Sequence, residues 1–171
     1  MVGTLGGLLC LRPVVLRFLR LFTDAVHRHG AAAQAQIGHA GVVANPTSTG
    51  FPALGPSRRF NPMSFRFTRP ARIADIERIT AAHGEAAAFA EESGFDSVEV
   101  HLAHNYFASS FLSPALNRRE DGYGGSLENR ARVALDVLRA VRDRVGGRIA
   151  VTAKLSMDDG VPGGFWTDEA M

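Results

Sequence analysis

The chain has little cysteine, little net charge and no long apolar run, and each shortage excludes a class of protein. Cys10 is the only cysteine among 171 residues, which excludes an internal disulfide framework and a multi-cysteine metal site and suits a reducing cytoplasm. The net charge is +2, and arginines occur singly or in pairs, so no nucleic-acid surface is expected. No apolar run reaches about 18 residues, so no membrane span is expected. The start has no positive charge ahead of its apolar part, so no signal peptide is expected.

What remains is the composition of a globular protein, 46% hydrophobic and 21% charged. The length is sufficient for one domain with a buried core. We assign residues 13–171 to this domain and leave residues 1–12 unassigned. Apolar periodicity and terminating glycines predict helices over residues 13–29, 74–93 and 126–145 and strands over 31–37, 97–102 and 148–156. Connections of this length favour parallel strands in an α/β barrel segment or a doubly wound sheet.

The first predicted helix has a clear amphipathic pattern. Its apolar residues recur at helical spacing and are expected to form one apolar stripe, made of Val14, Phe18, Leu21, Phe22, Ala25 and Val26. The second predicted helix carries His83 within its apolar stripe, where a hydrogen-bonded core histidine is expected.

Side chains suited to acid–base chemistry lie where the second predicted strand ends. Residues 97–102 alternate between polar and apolar types, a pattern typical of a strand. His101, His104 and Tyr106 follow in close succession. In parallel α/β proteins, chemistry collects where strands end and loops begin. Two imidazoles and a phenol at such a point can bind an oxyanion and move a proton, so this is the candidate active site.

The same residues carry a family resemblance. The segments are HLAHNY (101–106), FLSPALNRREDGYGGSLENRAR (111–132) and QIGHAG (36–41). They resemble the old yellow enzyme family, the FMN-dependent ene-reductases related to 2,4-dienoyl-CoA reductases. That family shows His-x-x-His or His-x-x-Asn, then one residue and Tyr, then FLSP, N-x-R-x-D-x-YGGS and ENR.

The resemblance implies a partial TIM (β/α)8 barrel that covers about strands 3 to 5 with their helices. A full barrel takes roughly 250 residues, so an internal fragment or a truncated gene product is expected. The implied function is hydride transfer from NAD(P)H through FMN to an activated alkene of the enone type. The implied partner is a small molecule, with no nucleic acid and no membrane. Three strands leave two sheet edges open, which favours self-association as a homo-oligomer.

The resemblance also implies residue roles. His101 and His104 would hold the activating oxygen of the substrate, which becomes negative as hydride arrives. Tyr106 would bind substrate beside them and give a proton to the α-carbon. Gln36 would hydrogen-bond the pyrimidine edge of the flavin. Lys154 would place a cation near the flavin N1 and C2 carbonyl, where arginine is often found in the family.

The residues alone leave other interpretations open. His101 and His104 could ligate zinc with His39 as a third ligand, and Lys154 could form a Schiff base in a barrel lyase or hydrolase. Each could also be structural: a hydrogen-bonded strand-end histidine pair, a half-buried tyrosine, a strand-end lysine, and a glutamine that satisfies backbone groups. The whole chain could be a non-enzymatic remnant.

Three further expectations concern the loops. Loop architecture is expected of Asn117, Arg119, Asp121, Tyr123, Gly124 and Gly125. The segment 42–69 is expected to pack through its phenylalanines as a lid over a pocket. Two positions depart from the family pattern, Val42 where arginine is common and Gly38 where tryptophan or another large residue is common, and these bear on substrate fit.

Overall fold

A three-stranded parallel sheet lies at the centre of the structure, a computed structural model that describes residues 5–61 and 64–171. The strands are β1 (Gln34–Ile37), β2 (Leu54–Gly55), β3 (Phe60–Asn61), β4 (Arg66–Phe67), β5 (Arg69–Pro70), β6 (Ser97–Leu102) and β7 (Ala150–Leu155). The helices are α1 (Leu5–Arg28), α2 (Pro46–Thr49), α3 (Ile73–Glu92), α4 (Phe107–Leu112), α5 (Leu127–Val145) and α6 (Thr167–Ala170), with a 3-10 turn over Gly41–Val43. The central sheet has the order β1-β6-β7.

The core lies between the central strand and two helices. Val98 and Val100 of β6 are fully buried, and α3 and α5 pack over them and against each other. The two helices approach closely where Gly84 of α3 faces the carbonyl of Ala140, since a β-carbon on Gly84 would lie 3.0 Å from that oxygen. One face of β6 therefore packs in the core, and the side chains on the other face are available for a functional site.

The three predicted strands and the second and third predicted helices are confirmed within about three residues at each end. The α5 helix starts as expected, because the side chain of Ser126 accepts a hydrogen bond from the Asn129 N–H. The core position of His83 is also confirmed. Its side chain is buried, and its Nδ1 lies 2.7 Å from the carbonyl oxygen of Ile79, one turn earlier.

The expected start of the first helix is wrong. The helix begins at Leu5, and Pro13 lies inside it, because the leucine-rich run ahead of Pro13 has high helix propensity. Residues 1–4 of the segment left unassigned lie outside the described residues. Of the predicted apolar stripe, Val26 packs against the core, whereas Val14, Phe18 and Leu21 are 52%, 67% and 56% exposed. The described residues therefore leave the N-terminal part of this stripe uncovered.

The expectation for the long loop 42–69 is wrong in its detail. The loop packs through the buried run 53–56, while Phe51, Phe60, Phe65 and Phe67 are exposed. Its short strands pair locally, β2 with β5 and β3 with β4. Three of the rings contact one another instead of a pocket, Phe60 with Phe65 and Phe67 at centroid separations of 6.1 and 5.6 Å.

None of the helices in the described part of the chain has both the length and the apolar character needed to cross a bilayer.

Candidate active site

The face of the sheet that points away from α3 and α5 is polar. Strand register pairs Gln36 of β1 with Glu99 of β6, Glu99 with Thr152 of β7, and His101 with Lys154. Side chains paired in this way lie on one face, and Glu99 and His101 share it because they are two residues apart. The register therefore brings three of the predicted site residues, Gln36, His101 and Lys154, to one surface.

The two histidines of the candidate site contact each other directly. His101 Nε2 lies 3.1 Å from His104 Nδ1, and the ring centroids are 5.0 Å apart. His101 is buried, whereas His104 is exposed. Burial lowers the pKa of His101 below its ordinary value, and the charges of His104 and Lys154 lower it further, against an opposing effect of Glu99. At neutral pH His101 is therefore an uncharged imidazole.

The hydrogen bond between the two histidines can form in two ways, with either His101 or His104 as the donor. The other ring nitrogen of His101 indicates which of the two is present. His101 Nδ1 is buried and has no hydrogen-bond partner among the described residues. If His101 Nε2–H donates to His104, the unpartnered atom is a lone pair; in the opposite arrangement it is an N–H donor. Buried donors without a partner are rarer than acceptors without one, so the first arrangement is favoured. It leaves the Nε2–H of His104 directed away from the pair, able to donate to a ligand.

The backbone that carries His104 is held in an unusual conformation. His104 and Asn105 both have left-handed φ angles, 58° and 54°, a region that non-glycine residues adopt at a cost. The His104 N–H donates to Ser156 Oγ at 3.2 Å, and the Tyr106 N–H donates to the carbonyl of Ala103 at 3.2 Å. Such strain persists where surrounding contacts over-determine it, and it concentrates at functional sites.

Tyr106 completes the cluster. It stands immediately before α4, and its ring meets His101 edge-on at a centroid distance of 4.5 Å, with His104 at 6.4 Å. The half-buried phenol has no hydrogen-bond partner for its hydroxyl among the residues that the structure describes. The three residues predicted to bind and protonate a substrate are thus one group of side chains.

The two predicted cofactor residues lie on either side of this group. Gln36 is on β1, and its Nε2 donates a hydrogen bond to Glu99 Oε2. Lys154 is exposed on β7 next to His101 in register. Sequence reasoning did not identify Glu99 as a site residue. Its position two residues before His101 was a usable signal, because every second residue of a strand shares a face.

His39 does not act as a third ligand in this arrangement. Its Nδ1 accepts a hydrogen bond from the Gly41 N–H at 3.0 Å, and its ring packs edge-on against Phe107. Burial lowers the pKa of His39 to about 4. Within residues 5–61 and 64–171, no group of three or more histidine, cysteine, aspartate or glutamate side chains is placed to hold a metal ion.

The long loop after α4 is held by polar side chains, as expected for loop architecture. Asn117 is buried, and its Nδ2 donates to the carbonyls of Phe111 and Tyr123 at 2.8 and 2.7 Å. Arg119 donates to the carbonyl of Ala71 at 2.6 Å and pairs with Asp121. These residues fix the loop that follows the candidate site and do not face the histidine pair.

A buried arginine secures the C-terminal segment. Arg130 of α5 donates to the carbonyl of Gly125 at 3.1 Å and to that of Leu112, and it forms an ion pair with Glu169 of α6. The contact ties α6 to the loop around the site.

Comparison with known proteins gives consistent matches. Residues 14–170 match the model of the NADH:flavin oxidoreductase / NADH oxidase family. The chain is 48% identical over 153 residues to 4,4'-dithiodibutanoate disulfide reductase of Rhodococcus erythropolis, covering 90% of this chain and 38% of that protein. It is 35% identical over 157 residues to an NADPH dehydrogenase of Listeria monocytogenes serotype 4a, covering 86% of this chain and 45% of that protein.

Solved structures agree. An old yellow enzyme homologue from Zymomonas mobilis superposes with a TM-score of 0.82 at 27% identity, covering 91% of this chain and 46% of that one. A 2-naphthoyl-CoA reductase in complex with 2-naphthoyl-CoA gives a TM-score of 0.84 at 30% identity, covering 90% of this chain and 25% of that one. The chain spans less than half the length of these proteins. The predicted fold, part of a (β/α)8 barrel, is confirmed.

Proposed function

Because the chain belongs to the NADH:flavin oxidoreductase / NADH oxidase family, we propose that it forms the substrate-activating part of an FMN-dependent oxidoreductase that reduces activated alkenes with NAD(P)H. The observation that carries the proposal is the cluster of His101, His104 and Tyr106 at the end of β6, with Lys154 beside it in register. A cytoplasmic location, where NAD(P)H is available, belongs to the same proposal.

The residues present fit a flavin. Its pyrimidine edge alternates hydrogen-bond acceptors with an N–H donor, and the carboxamide of Gln36 can both donate and accept. Its reduced form is anionic, and Lys154 offers a cation on the same sheet face as Gln36. When bound, the flavin supplies the hydride. Gln36 and Lys154 would orient it against the strand end.

His104, held in place by His101, would bind the substrate oxygen. Hydride addition to the β-carbon of an enone drives negative charge onto the carbonyl oxygen. Donors aimed at that oxygen stabilise the transition state more than the ground state. His104 has an outward N–H in the favoured proton arrangement, and His101 keeps the ring of His104 in place through the 3.1 Å contact.

Tyr106 would supply the proton. Its ring lies in the same cluster as His104, so a substrate held by His104 would have its α-carbon near the phenol. A phenol keeps its proton at neutral pH and can release it to carbon as charge develops there. Hydride on one carbon and a proton on the next complete the reduction.

The proposal is tested with purified protein under anaerobic conditions. A bound flavin should show its yellow absorbance, lose it on addition of NADPH and regain it on addition of cyclohexenone. Failure to bind FMN would contradict the proposal. Stoichiometric zinc, or borohydride trapping of a carbonyl compound on Lys154, would instead support a metal- or lysine-dependent lyase or hydrolase.

A second substrate class has specific support. The relative at 48% identity is named for the reduction of an organic disulfide. The same assay separates the two classes, since recolouring of the reduced flavin by 4,4'-dithiodibutanoate and not by cyclohexenone would favour disulfide reduction.

A second candidate for the 171-residue chain on its own is a polypeptide without activity. The observation that favours it is the exposure of its apolar surface, at Val14, Phe18 and Leu21 of α1 and at Leu155 of the edge strand β7. Such surfaces promote association. A chain that binds no flavin and elutes as a large oligomer in size-exclusion chromatography would match this candidate.

A further inference from the structure

The interaction of Gln36 with Glu99 bears on how a flavin would be recognised. The two residues are direct register partners on adjacent strands, and the amide nitrogen of Gln36 donates to a carboxylate oxygen of Glu99. An ionised carboxylate only accepts hydrogen bonds, so the NH2 group of Gln36 must be the part that faces it. The opposite end of the amide, the Oε1 atom, is then turned away from Glu99.

This orientation matters because a glutamine side chain without a partner has no fixed orientation. The oxygen and nitrogen of a carboxamide are nearly the same size, and a flip exchanges donor for acceptor. A neighbouring neutral side chain could stabilise either orientation. The neighbouring glutamine, Gln34, illustrates the contrast, because it donates to the neutral hydroxyl of Thr152 at 3.1 Å.

We propose that Glu99 is a positioning residue that fixes Gln36 as a hydrogen-bond acceptor for the ring N–H of the flavin pyrimidine edge. The inference rests on the proposed flavin function and goes beyond it, since it assigns a task to a residue that touches no substrate. The site should therefore bind a ring whose imide-like edge has an N–H donor more tightly than a ring in which that donor is blocked.

Glu99 lies among polar and charged side chains. His101 follows two residues later on the same face, Lys154 is the register partner of His101 on β7, and Thr152 and Gln36 flank Glu99 across the sheet. Lys154 supplies the positive charge of this group.

The first test needs no flavin. In a two-dimensional 15N–1H spectrum, the side-chain NH2 signals of Gln36 are assigned by their loss in Gln36→Ala. We expect them to shift in Glu99→Gln, because that substitution replaces the carboxylate that accepts their hydrogen bond. The NH2 signals of Gln34 are the internal control and should be unchanged by Glu99→Gln. Gln36 signals that are the same in both chains would overturn the inference.

The second test measures recognition. Fluorescence titration compares FMN with 3-methyl-FMN, in which the ring N–H is replaced. The unmodified chain should prefer FMN by about tenfold, the effect of one hydrogen bond to an oriented acceptor. Glu99→Gln should bind FMN more weakly and lose most of this preference, while Gln34→Ala should keep it. A Glu99→Gln chain with the full preference would overturn the inference and leave the proposed function standing. A chain that binds no FMN would overturn the proposed function, and the spectrum of Gln36 would still decide the pairing with Glu99.

Discussion

Gly38 lies so close to His101 that a β-carbon on residue 38 would stand 2.9 Å from the β-carbon of His101. Gly38 is the residue that follows β1, and His101 is near the end of β6, so the two strand ends are in direct contact. A β-carbon is fixed to the backbone and cannot swing aside. The position of His101 therefore depends on the absence of a side chain at residue 38.

Gly38→Ala should displace His101. We expect a loss of about 1–3 kcal/mol in the free energy of unfolding, typical of overpacking, and loss of the contact between the two imidazoles. Urea denaturation and the imidazole signals of His101 and His104 check both. Gly122→Ala is the matched control, because no atom lies within 4 Å of a β-carbon there. Equal stability of the two variants would contradict the packing argument.

Tyr106→Phe should remove catalysis and leave the fold intact. The ring keeps its edge-on contact with His101, and only the proton donor is lost. We expect turnover of an enone to fall by about 10²- to 10⁴-fold, the range for general acid catalysis, with little change in flavin binding. Tyr123→Phe, the equivalent change at the other tyrosine, should retain turnover. Activity that survives Tyr106→Phe would assign the proton to another donor.

Asn117→Asp should destabilise the loop after α4. The new carboxylate would face the carbonyl oxygens of Phe111 and Tyr123, which now receive hydrogen bonds from the Asn117 amide. A buried charge opposite two acceptors should cost about 2–4 kcal/mol in the free energy of unfolding. In the control Asn129→Asp, the side-chain oxygen still accepts from Arg132. If both variants unfold at the same urea concentration, the assigned role of Asn117 is wrong.

The half-buried imidazole of His39 should make stability depend on pH. Burial lowers the pKa of His39 to about 4, against about 6.5 in the unfolded chain. Between these values the unfolded state binds the additional proton, so stability is lost as the pH falls from about 6.5 toward 4. The loss is at most about 3.5 kcal/mol, since one pKa unit corresponds to about 1.4 kcal/mol.

His39→Asn keeps an acceptor for the Gly41 N–H and should flatten this part of the stability profile. Some slope should remain, because burial also lowers the pKa of His83. Thermal unfolding measured from pH 4 to pH 7 checks the change, and His29→Asn, at an exposed position, is the control. An unchanged slope in His39→Asn would mean that folding does not change the pKa of His39.

The sequence was most informative where a residue pattern reports local structure. Alternation around Val98 and helical spacing in α3 and α5 predicted these elements, because the buried face of an element repeats with its own period. The cluster of His101, His104 and Tyr106 was predictable for a related reason: residues close together at a strand end remain close in the fold.

Relationships between distant segments could not be obtained in this way. The pairing of Gln36 with Glu99 depends on the register of two strands separated by α3, and no pattern within either strand reports it. The exposure of the apolar stripe of α1 could not be predicted, for a different reason. Periodicity at Phe18 and Leu21 shows which face is apolar, but it does not show whether another element covers that face. The same holds for the phenylalanines of the long loop.

The two consecutive left-handed residues at His104 and Asn105 have a consequence for protein engineering. The turn of the main chain, and not the identity of the side chain, brings residue 104 back over His101. Asparagine and aspartate tolerate this φ region better than other residues with side chains. Position 104 is therefore the point at which the oxygen-binding side chain can be replaced with least disturbance of the backbone. A one-residue insertion or deletion in this turn would instead move residue 104 away from His101.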